Sequence, residues 1–271
     1  MKIKISHGKS VDSAQRDAQS NGSSLHTESL FERRPSLTSS NPQDARNFFA
    51  GIGIEYLHQS RANAEMIEIM SRLLEGMHES VAERYRWSSP GKIERLRAGY
   101  LAPLEIHYIN SRVGYGCFAA EDIKGGDPIG EYTGEYINEF RQSAYQFSLH
   151  DEPVSPETSS LCIDALYCGN HTRFINSCEE ELCLAGAGER SGYNVGIWRN
   201  FLDGCFRVEM YARRDIAKGE ELRTNYGPNY FYYHNIPQDL SLFRFDGHGV
   251  VEVETKYVED GLKKYGLDWL I

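Results

Sequence analysis

The sequence predicts a mainly β, α+β protein with a helical segment placed ahead of its β part. Three observations carry this. Apolar residues recur at helical spacing before residue 86, the period shortens toward two after Leu101, and glycine-bearing turns then interrupt the chain repeatedly.

The elements follow in order. Ser6 to Asp44 is rich in Ser, Gln and Asn and has no sustained apolar period, so residues 1–44 read as a disordered tail. From Ala45 the pattern changes. Met66, Met70, Leu73, Leu74, Met77 and Val81 interleave with Glu68, Arg72, Glu75 and Glu79, which predicts one or two amphipathic helices over 45–86. These end before Ser89-Pro90-Gly91, within a helical extension spanning 45–100. A methionine-bearing stripe at this spacing is a core face more often than a groove.

Leu104, Ile106 and Tyr108 alternate with Glu105 and His107 as a half-buried strand. Lys124-Gly125-Gly126-Asp127 reads as a turn leading into Ile129 to Tyr132. Val195 to Phe201, Asp203-Gly204, and the alternating Phe206, Val208 and Met210 read as a β-hairpin. Residues 101–230 therefore make the β domain. Residues 231–271 make a C-terminal closing segment, with a short helix ending at Lys263-Lys264-Tyr265.

Composition narrows the function classes. Hydrophobic residues are 40% and charged residues 25% of the 271, which excludes a wholly disordered chain or a collagen-like fibre. No run of about 18 apolar residues is present to cross a bilayer, and no apolar stretch follows Met1 as a secretory signal would. With 29 Lys and Arg against 39 Asp and Glu, the net charge is −10. That balance disfavours nucleic acid, whose binding rests on Lys and Arg, and favours a basic peptide. Cys117, Cys162, Cys168, Cys178, Cys183 and Cys205 include no C-x-x-C pair, so reduced, buried thiols are expected and no metal site.

Three separated segments carry the chemistry. The first is Gly114-Tyr115-Gly116-Cys117-Phe118-Ala119, followed by Glu131-Tyr132-Thr133-Gly134-Glu135. The second is Gly169-Asn170-His171-Thr172-Arg173-Phe174-Ile175-Asn176-Ser177-Cys178. The third is Gly219-Glu220-Glu221-Leu222-Arg223-Thr224-Asn225-Tyr226-Gly227. A Gly-x-Gly pair alone is only a tight turn in most chains. In this order, from about Leu104 to Tyr230, the segments resemble the SET-domain family of protein lysine methyltransferases.

The resemblance implies a fold of small twisted sheets around a knot-like crossing where the second and third segments meet. It also implies S-adenosyl-L-methionine as cofactor, in a cleft lined by the backbone at Gly114, Tyr115 and Gly116. Asn176 would bond the methionine end, Arg173 would brace its segment, Ser177 would offer its backbone to adenine, and Tyr145 would contact the cofactor. Tyr132 would sit in the lysine channel and hydrogen-bond the amine, while Tyr226 would orient the methyl group and help the proton leave.

Histone tails are the favoured substrate on this resemblance. A non-histone lysine, or a catalytically silent binding module, are the alternatives. The compartment implied is cytoplasm or nucleus, and the polar N-terminal stretch suits a bacterial effector acting in a host nucleus. The chain departs from the family pattern in places. Asn176-Ser177-Cys178 lacks the usual histidine, Asn225 replaces the commoner Asp, and Thr224 replaces an aromatic, which favours more than one methyl transfer. No cysteine cluster follows Gly227, and the aromatics of Pro228 to Tyr233 offer another way to close the channel.

Overall fold

The computed structural model describes residues 34–86, 89–139, 141, 143–149, 160–178, 192–227, 230 and 242–253, all within the compact unit that begins at Arg34. Order starts earlier than the sequence pattern suggested. Leu37 is buried and exchanges backbone hydrogen bonds with Ile106, at 2.9 and 2.8 Å. Residues 34–44 are therefore not tail, and residues 1–33 lie outside the described residues.

Helix α1 (Pro42–Gly51) starts where the Asn41 side chain accepts from the Gln43 N–H at 2.9 Å, with proline in the first turn, where its missing N–H costs nothing. Ala45, Phe48 and Phe49 are its buried face. Strand β1 (Glu55–Tyr56) interrupts the expected helical run. It is followed by α2 (Ala64–Gly76), capped by Asn63, and α3 (Glu79–Arg86). Met70, Leu73, Leu74 and Met77 are buried in the main core, as a core stripe requires.

The helical run ends before Ser89-Pro90-Gly91, with α3 closing at Arg86, and the same three residues also start a further helix, α4 (Pro90–Ala98). Proline punctuates both ends of helices, and here it occupies the first turn. The helix ends at Gly99, whose φ of 62° suits the left-handed C-terminal position; a β-carbon there would lie 2.9 Å from the His58 carbonyl oxygen.

The β part consists of small sheets. Strands β2 (Leu104–Asn110) and β3 (Gly114–Ala119) form an antiparallel pair. Strand β4 (Pro128–Glu131) follows the Lys124–Asp127 turn, closed by an Asp127 N–H to Lys124 carbonyl bond of 3.0 Å. Strands β5 (Glu135–Asn138), β6 (Gln146–Ser148) and β7 (Leu161–Asp164) make a sheet ordered β5-β7-β6. Strand β8 (Cys168–Gly169) pairs in parallel with β1, tying the N-terminal extension to the second motif segment.

A 3-10 turn at His171–Phe174 leads into β9 (Asn176–Ser177). The predicted hairpin is β10 (Val195–Leu202) and β11 (Cys205–Ala212), and β4 joins its β11 edge. Asp203 and Gly204 have φ of 54° and 81°, the backbone that a tight two-residue hairpin turn requires. Strand β12 (Arg223–Thr224) runs parallel to β9, pairing Arg223 with Asn176 and Thr224 with Ser177. The second and third motif segments therefore meet side by side.

After them β13 (Leu242–Phe245) and β14 (Val250–Val253) form a hairpin that the sequence pattern did not predict. The closing helix expected at 263–265, and Cys183, lie outside the described residues. Cys117, Cys162, Cys168 and Cys178 are buried, and burial pushes the Cys162 thiol up to about 12.

Candidate active site

The three motif segments converge on one cleft of about 440 Å³. Strand β3 delivers Gly114 and Tyr115, the 3-10 turn delivers Arg173 and Phe174, and β9 delivers Asn176 and Ser177. Tyr226 follows β12, and Tyr145 precedes β6. Of the predicted site residues, Gly114, Tyr115, Tyr145, Arg173, Asn176, Ser177 and Tyr226 line the cleft. Gly116 and Tyr132 are not on its wall.

Each glycine has its own reason. Gly114 has a φ of 82° and open space where a β-carbon would be. At Gly116 a β-carbon would lie 2.6 Å from Ile109 Cδ1 and 3.1 Å from Glu221 Oε1. Packing against a neighbouring strand and a buried carboxylate, rather than approach of a ligand, accounts for that glycine.

Asn176 Nδ2 donates to Glu221 Oε1 at 2.9 Å and to the Tyr115 carbonyl oxygen at 3.2 Å, so one amide joins all three segments. Glu221 is 2% exposed and also accepts from Arg223 Nε at 3.0 Å. Burial raises its carboxyl group's pKa, while Arg223, Asn176 and the Phe243 backbone amide pull it back. Arg173 is buried, with Nε donating to the Ala165 carbonyl oxygen at 3.0 Å and its guanidinium 4.1 Å from the Tyr145 ring centre. That is a bracing geometry.

Asn170 holds the turn in place: its Oδ1 accepts from the Thr172 N–H at 3.0 Å, and its Nδ2 donates to the Glu131 carbonyl oxygen at 2.9 Å. The second segment is thereby locked to the end of β4, directly before Tyr132. Beneath it Glu131 is buried in an ion pair with Arg207.

The phenols form a group. Tyr226 Oη donates to the Ile175 carbonyl oxygen at 2.6 Å, and its ring meets the Tyr230 ring edge-on at 4.5 Å. Tyr230 Oη donates to the Ala144 carbonyl oxygen at 2.8 Å. Tyr132 Oη donates to the Tyr145 carbonyl oxygen at 2.8 Å, and its ring lies 5.4 Å from the Phe147 ring. Desolvation raises Tyr132 and Tyr226 well above the ordinary phenol value, and the neighbouring phenols add to the effect. Tyr230 is pushed up to about 12. All three are therefore neutral O–H groups near pH 7, fitted to hydrogen bonding and alignment. A phenolate at Tyr226 is disfavoured, which counts against that residue as an ionised proton acceptor.

The backbone of Ser177 is held by β12, and its Oγ accepts from the Tyr226 N–H at 3.2 Å. Thr224 is buried within this pairing and is not on the cleft wall, where Tyr145 and Tyr230 stand instead.

Some lining residues carried no signal of their own. Ile52 and Ile54 come from the turn between α1 and β1, far ahead of the motifs, and only the folded chain brings them in. Arg112 and Val113 directly precede Gly114, and Arg223 sits inside the third segment. Glu221 was visible as half of an adjacent glutamate pair, but nothing in that pair marks which carboxylate is buried.

Residues 114–227 match the family model described as the SET domain. The chain is 32% identical over 127 residues to a histone-lysine N-methyltransferase EZH2 of Chaetomium thermophilum, covering 43% of this chain and 8% of that protein. It is 32% identical over 124 residues to the putative histone-lysine N-methyltransferase ASHH4 of Arabidopsis thaliana, covering 42% of this chain and 31% of that protein. The matches thus span under a third of the length of these curated relatives. Among solved structures, the ATXR5 SET domain in complex with histone H3 di-methylated on R26 aligns with a TM-score of 0.52 at 24% identity. It covers 72% of this chain and 93% of that one, a likeness of fold.

Proposed function

Residues 114–227 of this chain are a SET domain, and we propose that the protein is an S-adenosylmethionine-dependent protein-lysine N-methyltransferase acting on histone tails. One observation carries the reading: Asn176, Tyr226 and the Gly114–Tyr115 backbone, distant in sequence, line a single cleft. Its volume is in the range of small-molecule sites, roughly 300–1,000 Å³. Its lining also suits the group, because backbone N–H and guanidinium donors complement an amino-acid carboxylate while aromatic and aliphatic walls suit a nucleoside.

Asn176 would hold the methionine end, backbone amides at Gly114 and Tyr115 its carboxylate, and the Ser177 backbone the adenine, with Tyr145 against the bound molecule. When bound, that molecule supplies a methyl group already activated on a sulfonium. The protein's part is alignment, dryness and delivery of a neutral amine.

A free lysine has a pKa of about 10.4, so a neutral amine at pH 7 costs about 4–5 kcal/mol. Enclosure among Tyr145, Tyr226 and Tyr230 lowers that cost by desolvating the ammonium form. The neutral Tyr226 hydroxyl, fixed by the Ile175 carbonyl oxygen, aligns the methyl group's path. Tyr132, off the cleft wall, gives its hydroxyl to the Tyr145 carbonyl oxygen and so supports the side of the site that Tyr145 forms. The net charge of −10 favours encounter with a basic peptide. Such a substrate requires access to chromatin, in the protein's own nucleus or in a host's.

The test is incubation of the full chain with core histones and cofactor labelled in its methyl group. Label recovered on histone lysine is the expected result. Label on other lysate proteins alone would move the substrate to a non-histone lysine, and no transfer to any protein would refute the reading.

A further inference from the structure

The cleft is not built from the SET domain alone. Ile52 and Ile54 line it, and both lie outside residues 114–227. Their turn is tightly made. The Ile52 N–H donates to the Phe48 and Phe49 carbonyl oxygens, each at 3.2 Å, Gly53 takes a φ of 77°, and the Ile54 N–H returns to the Phe49 carbonyl oxygen at 2.9 Å.

The turn is also anchored on two sides. On one, the Phe48 ring meets the Tyr115 ring edge-on at 5.7 Å, and Phe49 lies 5.6 Å from Phe174; both partners line the same cleft. On the other, the Glu55 N–H donates to the Tyr167 carbonyl oxygen at 2.9 Å and the Leu57 N–H to the Gly169 carbonyl oxygen at 2.8 Å. The backbone that carries these two branched apolar side chains is thus anchored beside a site whose other groups include Asn176, Ser177 and Arg173. A wall fixed before a ligand arrives spends little entropy on binding.

A zwitterionic amino-acid group gains nothing from such a wall, whereas the flat apolar face of a nucleoside does. We infer that Ile52 and Ile54 form the apolar wall against which the nucleoside half of the cofactor binds, so that the N-terminal extension is part of the ligand site. This rests on the S-adenosylmethionine reading above.

The experiment measures binding by calorimetry to the full chain, with two probes. S-adenosylhomocysteine carries both halves of the cofactor; 5′-methylthioadenosine carries the nucleoside half without the amino acid. The double variant Ile52→Ala, Ile54→Ala should lose about tenfold in affinity for both probes alike. Ile54→Val and Ile54→Thr give a gentler arm, since the two side chains share a shape and differ by a hydroxyl. The threonine variant should bind 5′-methylthioadenosine about fivefold more weakly than the valine variant.

Unchanged affinity in the double variant, or a loss confined to S-adenosylhomocysteine, would overturn the inference while leaving the cofactor reading intact. Equal binding by Ile54→Val and Ile54→Thr would overturn it even if the double variant does not fold. If the natural chain binds neither probe, the cofactor reading itself fails, and the wall falls with it.

Discussion

His171 ties the acid stability of the protein to the joint between the N-terminal extension and the cleft. It is 6% exposed, sits on the 3-10 turn just before Arg173, and is packed between the Phe49 ring at 6.0 Å and the Tyr56 ring at 5.9 Å. Its Nδ1 has no hydrogen-bond partner among the described residues. Burial, with repulsion from His58, lowers its pKa from 6.5 to about 4.

The folded state therefore requires the neutral ring. Above pH 6.5 the contribution is complete. As pH falls from 6.5 toward 4 the unfolded chain takes up a proton that the folded chain refuses, and about 3 kcal/mol of stability is lost. His171→Phe keeps a ring of similar size and removes the titration. Urea unfolding at pH 7.5, 6, 5 and 4.5 reads the effect: the natural chain should lose stability more steeply than the variant, with the carboxylate contribution common to both. Parallel curves would refute the reasoning.

Three further outcomes follow from the same contacts. Tyr226→Phe removes the donor to the Ile175 carbonyl oxygen. It should cost about 1 kcal/mol in urea unfolding yet lower methyl transfer about 100-fold or more, with cofactor affinity nearly kept. Arg207→Met leaves the buried Glu131 carboxylate alone, and thermal or urea unfolding should show a loss of about 3–5 kcal/mol. Tyr132, Tyr136 and Tyr226 bind their protons more tightly folded than unfolded. Their contribution is complete below pH 10 and lost as pH rises above it. Phenolate absorbance from these residues should therefore appear only together with unfolding.

Local features were legible wherever a short period or a turn dipeptide specifies them. The Asp203-Gly204 hairpin and the Met70 to Met77 core stripe are of that kind. Proline at residue 90 was visible but ambiguous, because the same residue marks a helix end and a helix start. Leu37 was hidden as a lone apolar residue in a polar stretch, and its burial depends on Ile106 far along the chain. The meeting of Asn176 with Arg223 is likewise a non-local pairing that no periodicity encodes; only the resemblance of the motifs implied it.

In the site, the motifs named seven of the cleft residues, but not their hydrogen bonds. Tyr132 directs its hydroxyl to the Tyr145 carbonyl oxygen and is not on the cleft wall. Gly116 makes room for Ile109 and Glu221. The isoleucines of the α1–β1 turn enter through packing of Phe48 and Phe49, which reads in sequence as an ordinary amphipathic helix.

Calorimetric titration of the full chain with S-adenosylmethionine tests the central claim most directly, using Asn176→Ala as its control. Saturable binding at one site, weakened in the variant, is the predicted result. No binding by the natural chain, or binding that Asn176→Ala leaves unchanged, would contradict the assignment of this cleft.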